Sequence, residues 1–212
     1  MFGDILLLDM EDNEWNANHL KPFEVLKNVT GGGWKNRTYD FVSKVDQDSY
    51  VDPVRVWEKY LSSVPPDRLM LSMPHEEFCA YPAPQGGFYT LSWDLAEMIA
   101  GLYANMTDRS HISQEDCQVG RFPHDAKEDF TFMSMQTSES FDVISDNEKE
   151  QENFYAREWV GNLKSKGSIK DLKADVVFLH QMKEDWKWMS VMNLFDKDGW
   201  RKSKSGSAGE IS

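Results

Sequence analysis

Short apolar segments alternate with helical patterns along this chain, and this alternation is the feature that most constrains its fold. Brief apolar or alternating runs predict strands, and apolar residues at three- and four-residue spacing predict helices. We expect strands at Ile5–Leu8, Tyr39–Val45, Arg68–Met73, Phe88–Leu91 and Asp175–Leu179. Strands that alternate with helices favour an α/β fold, in which a mostly parallel sheet is flanked by helices.

Helix starts can be read at two places between these strands. Asp52 and Pro53 form one, because aspartate is a favoured N-cap and proline suits the first helical position. Ser92 is the N-cap expected for a helix that reaches about Asn105. Further helices are expected near residues 23–27, from residue 113, and from residue 181 to about 195.

Four segments have compositions typical of irregular structure. Three consecutive glycines at 31–33 predict a break, and the proline- and glycine-rich segment 81–87 predicts a loop. The polar segment 139–158 predicts a mobile surface loop, and 201–212 predicts a disordered tail. We therefore expect one domain over residues 1–200.

Charge and cysteine content exclude several classes of protein. The formal net charge is −13, which argues against a nucleic-acid-binding protein because phosphate neutralisation needs basic patches. Two cysteines, Cys79 and Cys117, exclude a disulfide-rich scaffold and a four-cysteine zinc site, and leave open whether they form one bridge. Sequons at Asn28, Asn36 and Asn105 favour the secretory pathway. The sequence contains no apolar run long enough to span a membrane.

Asp46 and Asp48 follow the second predicted strand, and His180 follows the last. Ligands of α/β proteins bind beyond the carboxyl ends of parallel strands, and two carboxylates in a bent segment can bind one Mg²⁺ or Mn²⁺ ion. An imidazole could complete the coordination. The alternative is that the two aspartates belong to a solvated turn and that the histidine is a packing residue.

Two further motifs could carry chemistry. Gly86 and Gly87 would let the backbone approach a ligand closely, although a plain tight turn has the same composition. Glu115 and Asp116 open a predicted helix, where a carboxylate could take the proton of an attacking hydroxyl. The alternative is that Asp116 forms a capping box with Ser113.

Taken in order, these stretches resemble the β-1,3-galactosyltransferase-like hexosyltransferases, which form glycosyltransferase family thirty-one. The resemblance covers about residues 2 to 195 and rests on five blocks in family order. The blocks are Phe2-Gly3-Asp4-Ile5-Leu6-Leu7-Leu8-Asp9, Tyr39-Asp40-Phe41-Val42-Ser43-Lys44-Val45-Asp46-Gln47-Asp48, Gly86-Gly87-Phe88-Tyr89-Thr90-Leu91-Ser92-Trp93-Asp94-Leu95, Glu115-Asp116-Cys117-Gln118-Val119-Gly120 and Val177-Phe178-Leu179-His180-Gln181-Met182-Lys183.

The resemblance implies a GT-A-like fold that binds a UDP-sugar donor through Mn²⁺ or another divalent cation. It implies transfer of galactose or N-acetylglucosamine, with inversion, to a hydroxyl of a glycan or glycoprotein acceptor on the lumenal side of the Golgi membrane. By position, Asp48 and His180 match the metal ligands, and Asp116 matches the catalytic base. The residues that match donor-binding positions are Asp46, Gly86, Gly87 and Glu115.

Three departures from the family pattern leave a second interpretation open. Gln47 stands in the middle of the usually all-aspartate motif, and Ala83-Pro84-Gln85 stands where small residues are usual. The chain also starts at a later strand, so that the membrane anchor and the first strand-helix-strand unit of the family are expected to be missing. The alternative function is therefore a catalytically inactive, truncated relative that acts as a glycan- or protein-binding module.

Overall fold

The computed structural model describes residues 8–11, 13–33, 39–74, 79–136, 140–144, 153–157, 164–168, 176–183 and 185–192. This part of the chain is a mixed α/β structure, as the alternating pattern predicts. It forms two compact units where the sequence indicated one domain over residues 1–200. The first unit is Met1–Asp46 with Trp57–Met135, and the second is Gln47–Val56 with Gln136–Ser212.

Strands and helices alternate irregularly along the described chain. The strands are β1 (Phe41–Val45), β2 (Tyr50–Val51), β3 (Leu69–Pro74), β4 (Pro84–Ser92), β5 (Thr131–Ser134), β6 (Ser140–Ile144), β7 (Asn153–Arg157), β8 (Lys164–Ser168) and β9 (Phe178–His180). The α-helices are α1 (Lys21–Asn28), α2 (Pro53–Val56), α3 (Trp93–Ala104), α4 (Glu115–Ala126) and α5 (Asp185–Met192). Wider π-helical turns cover Asn16–Leu20, Val29–Gly33 and Trp57–Leu61.

The first unit is built on a four-stranded sheet in the order β1-β4-β3-β5. β4 pairs antiparallel with both β1 and β3, and only β3 and β5 run parallel. Over both units, five of the seven pairings between described strands are antiparallel. The expectation of a mostly parallel sheet is therefore wrong for the described strands, because the connection from Pro74 to Pro84 is shorter than the roughly dozen residues that a parallel crossover needs.

Three helices, α1, α3 and α4, contribute to the apolar core of the first unit. Phe23 of α1 contacts the Tyr103 ring of α3 and the Phe122 ring of α4, and all three side chains belong to one apolar cluster. Leu95 and Ile99 of α3 are fully buried in that cluster. Helical spacing of these residues is what positions them against the sheet.

The second unit is built on a five-stranded sheet in the order β2-β9-β6-β7-β8. β9 pairs antiparallel with β2 and parallel with β6, so it occupies an inner position. Strands β6 and β7 fall within residues 139–158, and the mobile loop predicted there is wrong at those strands. Their polar composition is not typical of strands. Whether such a segment pairs with a neighbouring strand depends on residues that are distant in the chain.

Most of the other predictions of local structure are confirmed. Those for the glycine-containing segments 31–33 and 81–87 need correction. The backbone N–H of Arg55 donates to Asp52 Oδ1 at 3.1 Å, which confirms Asp52 as a helix cap. Residues 31–33 are helical where a break was predicted. The predicted loop 81–87 is also too long, because β4 begins at Pro84 and takes in Gly86 and Gly87. The predicted strand at residues 5–8, apart from Leu8, and the tail 201–212 lie outside the described residues.

Helix α4 is held against the segment that precedes β4. Cys79 and Cys117 form a disulfide bond, which decides the question that their number left open. A Cβ placed on Gly120 would lie 2.2 Å from the carbonyl oxygen of Pro82. Glycine at this position therefore allows a backbone approach that no other residue permits. None of the helices in the described part of the chain is long and apolar enough to cross a membrane.

Candidate functional site

Asp48 and His180 come together within the second unit through strand pairing. Tyr50 pairs with Leu179 and Val51 with Phe178, which places the turn before β2 beside the end of β9. The backbone N–H of Met182 donates to the carbonyl oxygen of Asp48 at 2.8 Å and extends this contact. His180 Nε2 consequently lies 3.6 Å from Asp48 Oδ1. Two ligands of one ion must lie about this close together.

This separation fits a shared divalent cation. Small divalent cations bind oxygen and imidazole nitrogen at about 2.1 Å, so ligand atoms 3.6 Å apart would subtend an angle of about 120° at the ion. Both side chains are largely buried, with 13% of His180 and 19% of Asp48 exposed. Asp46, which the sequence suggests as a neighbouring acid, lies two residues before Asp48 in the chain and belongs to the first unit.

Asp46 and Asp48 each form an ion pair with a lysine. Lys44 Nζ lies 2.7 Å from Asp46 Oδ1 in the first unit, and Lys183 Nζ lies 3.8 Å from Asp48 Oδ2 in the second. Lys183 is 63% exposed, so its ammonium group can leave for solvent at small cost. A cation that binds between Asp48 and His180 would compete with the ammonium group of Lys183 for the Asp48 carboxylate.

Lys44 ties β1 to β4 and α4 inside the first unit. Its ammonium group donates to the carbonyl oxygen of Gly86 and lies 3.2 Å from Glu115 Oε2. Burial alone would lower the pKa of Lys44, but the carboxylates of Glu115 and Asp46 outweigh burial, and the pKa is raised. Lys44 is therefore held in its charged form at the point where three elements meet.

Glu115 is the buried carboxylate of this network. Its Oε1 accepts a hydrogen bond from the Tyr89 hydroxyl at 2.5 Å. Burial raises the pKa of Glu115 and outweighs the opposite effects of Lys44 and Tyr89. Burial, reinforced by the charge of Glu115, also raises the pKa of Tyr89 well above its usual value. Direct contact between Glu115 and a donor substrate stays a prediction, since its described partners are Tyr89 and Lys44.

Asp116 lies next to the glycine pair of β4. A Cβ placed on Gly86 would be 3.7 Å from both Cβ and Oδ2 of Asp116. Asp116 Oδ1 accepts a hydrogen bond from the backbone N–H of Cys117 at 2.8 Å. Gly87 is buried and accepts, through its carbonyl oxygen, the N–H of Asp46 at 3.0 Å. The first unit thus joins Asp46, Gly86, Gly87, Glu115 and Asp116 in one region.

The capping alternative for Asp116 is wrong in the form that the sequence suggested. Gln114 is the N-cap residue of α4, and its own side chain makes no capping hydrogen bond. The Ser113 hydroxyl donates instead to Gln118 Oε1 at 3.1 Å. Ser113 is therefore not the N-cap residue that the predicted capping box required.

Sequence reasoning missed Lys44 and Lys183 as parts of the site. A signal for Lys44 existed, because strand alternation places it on the same face as Val42, which packs against the core. A charged residue on an inward face needs a buried partner. No comparable signal marked Lys183 or Tyr89, since their roles depend on which side chains reach them through tertiary contacts.

Comparison with known proteins adds no identification. No family model matches this chain, and no curated protein matches it at the significance required.

Proposed function

We propose that this protein is a metal-dependent glycosyltransferase that moves a hexose, galactose or N-acetylglucosamine, from a UDP-sugar to a hydroxyl of a glycan or glycoprotein. The observation that carries the proposal is the 3.6 Å separation between His180 Nε2 and Asp48 Oδ1. The two residues are far apart in the sequence, and each matches by position a metal ligand of the family that the sequence resembles. The proposal includes a GT-A-like fold and a location on the lumenal side of the Golgi membrane.

Asp48 and His180 of the second unit would hold the cation, and Mn²⁺ suits a carboxylate together with an imidazole. When bound, the cation offsets the negative charge of the leaving diphosphate. Lys44 keeps the Asp46 carboxylate oriented by an ion pair of 2.7 Å. Gln47 is exposed and offers no charge to this set.

Asp116 is the proposed catalytic base. Its carboxylate would take the proton of the acceptor hydroxyl while that oxygen forms a bond to the anomeric carbon of the sugar. The bond between the anomeric carbon and the diphosphate oxygen breaks in the same step, and UDP leaves on the opposite side. Gly86 leaves space beside Asp116, because even an added Cβ would lie 3.7 Å from the carboxylate.

A second candidate is a catalytically inactive relative that acts as a glycan- or protein-binding module. The observation in its favour is that Lys44 and Lys183 pair with Asp46 and Asp48. Two ammonium groups could replace the charge of a metal ion, so that these carboxylates would have a purely structural role. This candidate predicts that ligand binding is indifferent to divalent cations.

The test is UDP binding measured calorimetrically with and without Mn²⁺. We expect binding that requires Mn²⁺ in the natural protein and is lost in Asp48→Ala. Asp125→Ala is the matched control, because Asp125 is exposed and pairs with Arg121. Binding that persists without metal and in Asp48→Ala would support the second candidate.

A transfer assay separates binding from chemistry. UDP release from a panel of UDP-sugars and acceptor glycans should fall at least about a hundredfold in Asp116→Asn, because proton transfer by a positioned base contributes on this scale. UDP binding in the same variant should be unchanged. Full transfer by Asp116→Asn would remove Asp116 from the mechanism and leave the metal site intact.

A further inference from the structure

The segment that leaves helix α3 carries an acceptor sequence for N-glycosylation in an exposed position. The residues are Asn105, Met106 and Thr107, which directly follow the last residue of α3. Asn105 and Thr107 are exposed, and Met106 between them packs against the apolar core of the first unit. The anchored methionine fixes this segment so that both polar residues remain accessible to solvent.

The backbone at this position suits recognition of the acceptor. Helix α3 ends at Ala104, and the N–H groups of Asn105 and Met106 make the last hydrogen bonds of the helix, to Gly101 and Tyr103. Beyond Asn105 the chain is no longer helical. Asparagine and threonine two residues apart can then present their side chains to one enzyme site.

The sequon at Asn28 differs from the one at Asn105 in its backbone conformation and in the hydrogen bonds of its side chains. Asn28 ends α1 and is followed directly by a π-helical turn, so that the whole triplet is helical. In a helix, residues two apart point in directions that differ by about 200°. Asn28 Nδ2 donates to the carbonyl oxygen of Glu24, and the Thr30 hydroxyl donates to that of Leu26. The acceptor amide and the hydroxyl are thus turned away from each other and bonded to the helix.

The disulfide bond gives an independent indication of the compartment. Cys79 and Cys117 are bonded to each other in the same unit that carries Asn105. Disulfides form in oxidising compartments such as the endoplasmic reticulum, which is also where asparagine-linked glycans are attached. An accessible sequon and an oxidised cysteine pair therefore point to the same environment.

We infer that Asn105 is an N-glycosylation site of this protein and that Asn28 is not. The sugar donor is an oligosaccharide linked to a lipid through a diphosphate. A bond forms between Asn105 Nδ2 and the anomeric carbon, the bond from that carbon to the diphosphate oxygen breaks, and one amide proton is released. The inference does not depend on the proposed transferase function, because the chain is here the acceptor of a sugar and not the catalyst.

The test uses the full chain expressed in cultured animal cells behind an added cleavable leader. Enzymatic removal of N-glycans in heavy-oxygen water converts a glycosylated asparagine into a labelled aspartate, which mass spectrometry assigns to one residue. We expect the label at position 105, and its loss in Asn105→Gln and Thr107→Ala. Thr107→Ser keeps the acceptor hydroxyl and should keep the label, and Asn28→Gln should leave it unchanged.

Secreted and cell-retained protein are both measured, so a variant that folds poorly still gives a result. Chain that enters the secretory compartment, as shown by removal of the leader, with an unmodified Asn105 would overturn the inference. Label at position 28 in place of 105 would overturn it as well. Label at Asn36 in addition to 105 leaves the inference supported, since the measurement resolves each asparagine separately.

Discussion

The imidazole Nε2 of His180 lies 3.6 Å from Asp48 Oδ1, and the ammonium group of Lys183 lies 3.8 Å from the other oxygen of the same carboxylate. Asp48 therefore has one neighbour that could share a cation and another that would compete with it. The balance between them can be measured by substituting each neighbour separately.

His180→Ala removes one ligand atom and should weaken Mn²⁺ binding by more than about tenfold. Lys183→Met removes a competing positive charge and should strengthen it by about two- to fivefold, since an exposed ion pair contributes up to about 1 kcal/mol. Isothermal titration with Mn²⁺ measures both. Equal affinities in the natural protein and both variants would show that the ion does not bind between His180 and Asp48.

Lys44→Met should lower the free energy of unfolding by on the order of 2 kcal/mol, because it leaves the buried Glu115 carboxylate without its cation. The double variant Lys44→Met, Glu115→Gln removes both charges and should recover part of that loss. Urea unfolding provides the measurement. Lys127→Met, at an exposed position, is the control and should change stability by less than about 0.5 kcal/mol.

Two glycine variants form a matched pair. Gly120→Ala should cost about 1–3 kcal/mol or more, because the new Cβ would lie 2.2 Å from the Pro82 carbonyl oxygen. Gly86→Ala should fold normally, since its Cβ would make ordinary contacts of 3.7 Å with Asp116. Thermal unfolding compares their stabilities. If Gly86 lies beside a bound donor, Gly86→Ala should nevertheless reduce transfer, which the assay for UDP release would detect.

Glu24 should contribute to stability at neutral pH and lose that contribution in acid. Burial alone would raise the pKa of Glu24, but hydrogen bonds from Lys27 and Tyr103, together with the charges of Lys27 and Arg109, outweigh it and lower the pKa below 4.5. The contribution is thus complete above pH 4.5 and disappears as pH falls through the lowered folded-state pKa.

Urea unfolding of the natural protein and Glu24→Gln between pH 7 and pH 3 would measure this effect. The natural protein should be the more stable at neutral pH, and the difference should shrink below pH 4.5. A difference that is constant over the whole range would contradict the assignment. Glu14→Gln, which makes the same change at an exposed position, controls for general effects of charge.

Local structure could be predicted well where neighbouring residues encode it. The cap at Asp52, the strand at Phe41–Val45 and the helix over Trp93–Ala104 all follow from spacing and capping preferences within a few residues. The same reasoning placed Asp48 and His180 at strand ends, which is why they could be proposed as partners. Their roles in metal binding remain a prediction that the proposed titrations test.

Only the tertiary structure decided which strands are neighbours and which side chains meet. The antiparallel pairing of β4, the disulfide between Cys79 and Cys117, and the contacts of Lys44 with Glu115 and Asp46 join residues from different elements. A sequence shows the period of a strand, but the choice of partner strand depends on packing among residues distant in the chain. For that reason elements with a clear apolar period, such as β1 and α3, can be read from the sequence, whereas the polar strands β6 and β7, the direction of the sheets and the environment of the carboxylates cannot.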